Sequence, residues 1–201
     1  VQVETLFNGS AGLMRRAALA PIAQFLRQHD QRSVTLADLA CGTGRFLREL
    51  RLAFPRLRLT GVDLSPAYLA EAKDHLSGLH PVELVMANVE QLPFDDASCD
   101  VATAIFLFHE LPAQIRRRVT EEAVRVLRPG GMFVFVDSLQ YGDRPGWDGL
   151  MEAFPSRFHE PYYRHYCIDD LDAMFTASGL HKQHQELAFV SKAMVWRKPG
   201  G

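Results

Sequence analysis

The stretch LADLACGTGRF, residues 36–46, decides the fold of this chain. It begins as an apolar run of strand length, turns through two glycines, and continues into residues of helical period. Gly42 and Gly44 permit positive φ angles and let the backbone contact a ligand, while the free amides at the start of the helix favour polar or negative groups. We therefore expect a ligand-binding turn where a strand ends and a helix begins.

Strand-length apolar runs alternate with helical segments on both sides of this turn, which is typical of βαβ units on a parallel sheet. Two late runs are separated by a tight connection and should pair as an antiparallel hairpin. The predicted strands are residues 34–39, 57–62, 82–87, 100–106, 132–136, 181–189 and 191–198. This order predicts an α/β fold, Rossmann-like and doubly wound, with a seven-stranded, mostly parallel sheet and an antiparallel C-terminal hairpin.

Helix boundaries and one charged helix face carry their own signals. Ser65 followed by Pro66 predicts a helix start, and the letters PGG at 129–131 predict a helix stop after Arg128. Of the three arginines at 116–118, the last two stand four positions before glutamates. We expect these arginines on a solvated helix face rather than in an anion site.

Composition and charge limit the classes of protein to consider. The 201 residues are 47% hydrophobic and 23% charged, which suits one packed core and is too little for two full domains. The formal net charge is -2, so there is no basic excess to hold a nucleic acid, and we expect no such partner. The longest apolar run, residues 101–108, is too short to span a membrane, and no signal-peptide pattern is visible.

Cysteine usage indicates a reducing compartment. Cys41, Cys99 and Cys167 are far apart in sequence, odd in number and without a CxxC pair, which argues against a disulfide framework or a structural zinc site. We therefore expect a cytoplasmic protein.

An acidic residue follows the second predicted strand. Asp63 lies 19 positions after Gly44, close to the spacing at which a carboxylate meets a ribose in nucleotide-binding α/β folds. The ligand should therefore contain a ribose. A dinucleotide site favours a third glycine where this chain has Leu47, so an NAD-dependent oxidoreductase is disfavoured.

Four ordered segments resemble the motifs of the class I S-adenosylmethionine-dependent methyltransferases. They are DLACGTG, GVDLSPAYL, ANVEQLPFDDASCDVATAIFLFHEL and RVLRPGG, and together they cover about residues 34–137. In texture the chain is similar to small-molecule enzymes that include the quinone-biosynthesis methyltransferases, although FLFHEL replaces the pattern usual there after the fourth strand. The resemblance implies that S-adenosylmethionine is the cofactor and S-adenosylhomocysteine the product.

The resemblance also implies roles for the residues around the turn. Asp63 would accept hydrogen bonds from both ribose hydroxyls. Asn88 would bind the adenine amino group through its amide oxygen, and the backbone amide of Val89 would meet a ring nitrogen. Leu64 and Phe106 would border the base. The methionine part would be held by Asp38, Ala40, Cys41, Gly42, Thr43 and Gly44.

The acceptor side has weaker signals. His109 and Glu110 follow the fourth strand, where the crevice would open toward the acceptor, and an imidazole titrates near neutral pH. We expect His109 to act as a base or to orient the acceptor, with Glu110 beside it. The alternative is that both only pack at the helix that starts near Pro112. The aromatic segment 154–166 would form the acceptor pocket or cover the sheet edge. Its candidate substrate-binding residues are His159, Tyr162, Tyr163 and Tyr166.

We expect no metal site. His159, Glu160 and His165 could be drawn as a ligand cluster, but they contain no helical pair of histidines four positions apart. Thiolate ligands for arsenic methylation are also disfavoured, because Cys41 is already accounted for by the glycine turn.

The sequence thus predicts methyl transfer from S-adenosylmethionine to a small, aromatic or otherwise apolar acceptor by in-line displacement, in which alignment of the reacting atoms supplies most of the catalysis. The alternative is a non-catalytic module that binds the same cofactor. We expect one methyltransferase domain over residues 1–201. Its parts would be an N-terminal lid or packing helix at 1–30, a cofactor-binding core at 34–137, and an acceptor-side segment with the C-terminal hairpin at 138–201.

Overall fold

A computed structural model describes residues 11–200 of the chain, with every side chain among them but that of Arg157. The strands are β1 (Thr35–Leu39), β2 (Arg58–Asp63), β3 (Glu83–Met86), β4 (Cys99–Ile105), β5 (Leu127–Ser138), β6 (His181–Ala188) and β7 (Ser191–Arg197). The helices are α1 (Ala11–Arg16), α2 (Leu19–Leu26), α3 (Arg45–Ala53), α4 (Pro66–His75), the 3₁₀ helix η1 (Phe108–Glu110), α5 (Ala113–Val126), α6 (Asp148–Arg157), α7 (Tyr163–Ile168) and α8 (Leu171–Ala177).

The seven strands form one sheet in the order β3-β2-β1-β4-β5-β7-β6. Strands β1 to β5 pair in parallel, whereas β7 pairs antiparallel with both β5 and β6. The predicted doubly wound sheet and its C-terminal hairpin are therefore confirmed. The strand order reverses between β1 and β4, and in such sheets a ligand crevice opens at the carboxyl ends of these two strands.

Alternate residues of the central strands supply two hydrophobic cores, one on each face of the sheet. In β5, Phe133 and Phe135 belong to the core beneath α5 and α8, where Phe175 packs against both rings. Val134 and Val136 belong to the opposite core, which α2, α3 and α4 cover. Both faces of the sheet are thus buried, as parallel strands require.

One helix boundary is as predicted and one is not. The Ser65 hydroxyl accepts a hydrogen bond from the Tyr68 amide (3.2 Å), with proline at the first position of α4. The stop predicted after Arg128 is wrong, because α5 ends at Val126 and β5 begins at once. A residue before proline avoids the helical region, which accounts for the earlier end.

The N-terminal helices pack on the domain. Ile22 and Phe25 of α2 are buried in the core, and Met14 of α1 is buried with its sulfur accepting a hydrogen bond from the Ser191 hydroxyl (3.0 Å). This part of the predicted segment 1–30 is a packing element, while its first ten residues lie outside the described chain. None of the helices between residues 11 and 200 is both long and apolar enough to cross a membrane.

Candidate active site

The glycine turn between β1 and α3 has the left-handed backbone that its sequence predicts. Ala40, Gly42 and Gly44 have φ angles of 55°, 54° and 72°. A Cβ on Gly44 would lie 3.0 Å from the Cβ of Ala72, so the turn also approaches α4 more closely than a side chain would allow. Within 4 Å of a Cβ placed on Gly42 there is no other atom, which leaves the outer side of the turn open to a ligand.

Asp63 ties this turn to the end of β2. One carboxylate oxygen accepts a hydrogen bond from the Gly42 amide and the other accepts one from the Ser65 amide, each at 2.8 Å. A carboxylate oxygen can accept more than one hydrogen bond. Both oxygens therefore keep capacity for two hydroxyls of a ribose, as the sequence predicts.

Asp38 lies deeper, within β1. Its carboxylate is buried and accepts a hydrogen bond of 2.6 Å from the Thr103 hydroxyl on β4. Burial raises the pKa of Asp38 to about 7, and the nearby Asp63 carboxylate adds to this, while the Thr103 hydrogen bond lowers it. A carboxylate with this pKa gains from any cationic group placed beside it.

A strand glycine explains the absence of a third glycine in the turn. A Cβ on Gly61 of β2 would overlap the side chain of Leu47 and lie 2.8 Å from the sulfur of Cys41. Helix α3 thus packs against the sheet through Leu47 over Gly61, and not through a glycine of its own. This packing agrees with the sequence interpretation that disfavoured a dinucleotide site.

Apolar side chains are exposed where the base of a nucleoside is expected. Leu64 is 67% exposed and Met86 64%, and Met86 pairs in register with Asp63. Phe106 is half-buried, with a φ of 57° that bulky residues rarely adopt. The exposed Asn88 bonds with Glu90, its amide oxygen accepting from the Glu90 backbone amide at 3.0 Å. The sequence did not single out Met86, because only the pairing of β3 with β2 places it next to Asp63.

His109 forms a buried pair with Asp137, which lies near the carboxyl end of β5. Nδ1 of His109 lies 2.5 Å from Asp137 Oδ1. Asp137 is fully buried, and it also accepts hydrogen bonds from the backbone amides of Phe108 (2.7 Å) and Ser138 (2.7 Å). A carboxylate held by several donors fixes the orientation of the ring that donates to it. Nε2 is therefore the nitrogen left for a ligand.

The charges around the His109 ring determine its protonation. Burial lowers the pKa of the imidazolium, but the charge of Asp137, its hydrogen bond to the ring, and the charges of Glu110 and Glu160 outweigh this effect. Together they raise the pKa of His109 to about 9. In the free protein at neutral pH, His109 is therefore an imidazolium ion, with a proton on both ring nitrogens.

Two glutamates from separate segments lie beside the free edge of the ring. Glu110 Oε1 lies 4.0 Å from His109 Nε2, and Glu160 lies in the connection between α6 and α7. One ligand atom of each of the three residues lies within 4.8 Å of the other two. Burial raises the pKa of Glu160, which the positive charge of His109 partly offsets. The sequence pattern grouped Glu160 with His159 and His165 as possible metal ligands, whereas the fold brings it close to His109.

A buried arginine holds the turn that carries His109. Arg116 is 0% exposed, and its guanidinium donates to the carbonyls of Leu111 (2.6 Å) and Phe108 (3.3 Å) and pairs with Asp169 (2.9 Å). The predicted solvated face is thus wrong for Arg116 and holds for Arg117 and Arg118. The reason is that carbonyl groups in and just after η1, and the Asp169 carboxylate at the end of α7, need hydrogen-bond donors, which Arg116 supplies from the interior.

The aromatic segment contributes both a wall and an open cavity. Tyr163 and Tyr166 are buried with edges toward the His109 ring, at 6.1 and 6.2 Å between centroids. Their hydroxyls bond to the side chain and the carbonyl of Ser138, each at 2.6 Å. His159 and Tyr162 are exposed. A cavity of about 360 Å³ is lined by Pro155, Ser156, His159, Glu160, Pro161 and Arg164.

Only some of these partners could have been found from the sequence. Asp137 directly follows a predicted strand, as Asp63 does, so a second acid at a strand end is a signal visible in the sequence. Glu160 and Arg116 carry no such signal, because their partners are distant in sequence and meet only through the fold.

The sheet order, the open glycine turn and the acid at the end of β2 have the arrangement of a nucleotide-binding α/β domain. Residues 36–131 match a family model described as a methyltransferase domain. The chain is similar to class I S-adenosylmethionine-dependent methyltransferases, among them quinone-biosynthesis enzymes.

Two curated relatives and one solved structure illustrate the similarity. The chain is 34% identical to ubiquinone/menaquinone biosynthesis C-methyltransferase UbiE of Methylobacterium nodulans, over 73% of this chain and 58% of the relative. It is 32% identical to demethylmenaquinone methyltransferase of Listeria welshimeri, over 62% of this chain and 52% of the relative. The fold matches the crystal structure of a putative methyltransferase from Bacillus halodurans with a TM-score of 0.70 at 17% identity, over 90% and 99% of the two chains. The chain thus spans little more than half the length of these curated relatives.

Proposed function

We propose that this chain transfers a methyl group from S-adenosylmethionine to a small acceptor and that His109 removes the acceptor's proton. The observation that carries the proposal is the His109–Asp137 pair, placed at the end of β4 beside the open glycine turn. A buried imidazole with one nitrogen fixed and the other free is an arrangement suited to proton transfer.

The residues present fit the cofactor. The left-handed glycine turn leaves room for the methionine part, to be held by Asp38 and residues 40–44. Asp63 would bind the ribose, and Leu64 with Phe106 would border the base, which Asn88 and the Val89 amide would recognise. When bound, the cofactor supplies an activated methyl group on a sulfonium.

The chain's own residues would orient the acceptor and receive its proton. Asp137 accepts from Nδ1, which leaves the lone pair of Nε2 available once His109 has lost its proton. A base with a pKa of about 9 matches acceptor groups that titrate near 10, such as phenols and ammonium ions. We therefore expect methyl transfer to become faster as the pH rises toward about 9.

The aromatic segment would shield the reaction from water. Tyr163 and Tyr166 form a wall behind His109, and the neighbouring Phe154 ring lies 4.7 Å from that of Tyr163. Aromatic faces suit a flat acceptor and stabilise a nearby cation. Tyr162 and His159, which are exposed, would contact the acceptor from the open side.

Calorimetry with S-adenosylhomocysteine tests the cofactor assignment. We expect wild-type protein to bind it and Asp63→Ala to lose the binding, because two ribose hydrogen bonds to a charged group are removed. Asp95→Ala, which changes an exposed acid elsewhere, is the control and should bind normally. Tight binding of NAD in place of S-adenosylhomocysteine would contradict the proposal.

A second variant separates catalysis from binding alone. His109→Gln should keep the affinity for S-adenosylhomocysteine and lose transfer of labelled methyl groups to compounds of a cell extract. If the variant transfers methyl groups as fast as wild type, His109 is a packing residue and the base is elsewhere.

A further inference from the structure

We propose that the acceptor group is an amine, bound as its ammonium ion among His109, Glu110 and Glu160. The inference rests on the proposed function and names the chemical class of its acceptor. It is carried by the size of the space between these three side chains and by the charge around it.

The space has the size of one hydrogen-bond donor. The three ligand atoms lie within 4.8 Å of one another, so one point lies no more than about 2.8 Å from each of them. Charge-assisted N–H···O bonds have this length. An ammonium nitrogen at that point could donate to both carboxylates and, once His109 has lost its Nε2 proton, to Nε2.

One of the three groups is buried and lacks a partner on this side. His109 is 8% exposed, and Nδ1 is its only ring nitrogen with a hydrogen bond among residues 11–200. Nε2 has Glu110 Oε1 at 4.0 Å, which is too far for a hydrogen bond. A polar atom at the edge of a mostly buried ring gains from a ligand that hydrogen-bonds to it.

The charge favours an amine over a phenol. Asp137, Glu110 and Glu160 place three carboxylates around one imidazole, with His159 the nearby group that offsets Glu160. Deprotonation of a phenol would create a fourth anion against these carboxylates. Deprotonation of an ammonium ion moves one positive charge from the ligand to the imidazole and creates no new anion beside the carboxylates.

A bare metal ion fits the same three residues less well. Metal–ligand bonds of about 2.1 Å bring neighbouring ligand atoms to about 3 Å from one another, closer than the 4.0 Å between Nε2 and Oε1. Both glutamates would have to move inward. The amine requires no such contraction.

The rest of the acceptor has room beside Glu160. This residue also lines the cavity of about 360 Å³, together with His159 and Arg164, a volume in the range of small-molecule sites. An amine with a short aromatic or aliphatic body could thus place its nitrogen at His109 and its body in the cavity.

The proposed step balances as follows. Once His109 has lost its Nε2 proton to solvent, the ammonium nitrogen gives a proton to Nε2 and becomes a neutral amine. Its lone pair then forms a bond to the methyl carbon while the carbon–sulfur bond breaks, and the electron pair of that bond stays on sulfur. The products are a methylated ammonium ion and a neutral thioether.

Three probes of similar size and different chemistry test the class of acceptor: phenethylamine, 4-ethylphenol and 2-phenylethanol. Each is added to the protein, with and without S-adenosylhomocysteine, while the His109 ring signal is followed by NMR. We expect phenethylamine alone to shift this signal in a saturable way. Glu160→Gln should weaken its binding about tenfold or more, because one charged hydrogen bond is lost. Glu152→Gln, an exposed residue of α6, should bind it as wild type does.

A second experiment does not depend on the probes. The protein and labelled S-adenosylmethionine are added to a cell extract, and labelled products are separated on a cation exchanger at neutral pH. We expect a retained product that Glu160→Gln forms at least about tenfold more slowly.

Several outcomes would overturn the amine. They are a shift caused by the phenol and not by phenethylamine, labelled products that are all neutral or anionic, and Mn²⁺ binding at one ion per chain that Glu160→Gln abolishes. The proposal is also overturned if the extract gives no labelled cation and phenethylamine does not shift the His109 signal. Failure of the proposed function is seen separately, as failure of S-adenosylhomocysteine to bind.

Discussion

Asp137→Asn is the substitution that tests the charge assignment at His109 most directly. In the folded protein the pKa of His109 rises from 6.5 to about 9, against the effect of burial, chiefly because of Asp137. At about 1.4 kcal/mol per pH unit, this rise corresponds to roughly 3 kcal/mol of preference for the imidazolium. Asparagine keeps the shape and an oxygen acceptor but removes the charge, so the pKa should fall to about 6.5 or below.

The same rise predicts a dependence of stability on pH. A group whose pKa is higher in the folded than in the unfolded state stabilises the fold fully below the unfolded value, and this stabilisation is lost as the pH rises through the folded value. The free energy of unfolding of the wild type should therefore decrease between pH 6.5 and about 9. In Asp137→Asn this decrease should be absent, so the difference in stability between the two proteins should shrink by roughly 3 kcal/mol across that range.

The assay is an NMR titration of the histidine ring protons, combined with urea unfolding at several pH values. Asp95→Asn removes an exposed carboxylate and serves as the control, for which the His109 titration should match that of wild type. The His109 signal is assigned with His109→Gln. A wild-type His109 that titrates near 6.5, or one whose titration Asp137→Asn leaves unchanged, would refute the electrostatic argument and with it the expected pH dependence of methyl transfer.

Three further predictions concern the scaffold. Gly61→Ala should lower the free energy of unfolding by about 1–3 kcal/mol in urea, because its Cβ would overlap Leu47. Gly149→Ala is the control: it lies in α6 with open space around it and should leave the free energy of unfolding unchanged or raise it by up to about 1 kcal/mol. Arg116→Met should cost about 3 kcal/mol in thermal unfolding, since the half-buried Asp169 carboxylate and the Leu111 carbonyl lose their donor. A change within about 0.5 kcal/mol would contradict this account. The wild type should lose stability as the pH rises from 3.8 to about 7, and Asp38→Asn should remove this loss, a gain of up to about 4 kcal/mol by calorimetry. The same substitution should weaken S-adenosylhomocysteine binding. An unchanged pH profile would count against a buried carboxyl group with a raised pKa.

The cofactor side of the site follows from local signals. Gly42, Gly44 and Asp63 belong to one strand, one turn and the end of the next strand, so their chemistry and spacing are visible in a window of about thirty residues. The structure places them as the spacing predicts, and it adds that Asp63 and the Gly42 amide bond to each other (2.8 Å). The end of α5 was misplaced by two residues because strand pairing of Leu127 with Cys99 takes over before the proline.

The acceptor side could be predicted only as a region. His109 was singled out from its position after β4, but its partner Asp137 is 28 residues away and comes from another strand. Arg116 was assigned to a solvated face because its neighbours on the helix are charged, and only the carbonyls of η1 and Asp169 explain its burial.

The sequence by itself determined the order of strands and helices, the glycine turn and the acid after the second strand, because hydrophobic period and backbone freedom act over a few neighbouring residues. Only the tertiary structure decided that Glu160 reaches His109 and that Asp137 holds the ring. Such pairs are made by the packing of separate segments, and their electrostatic strength comes from a burial that no local pattern specifies.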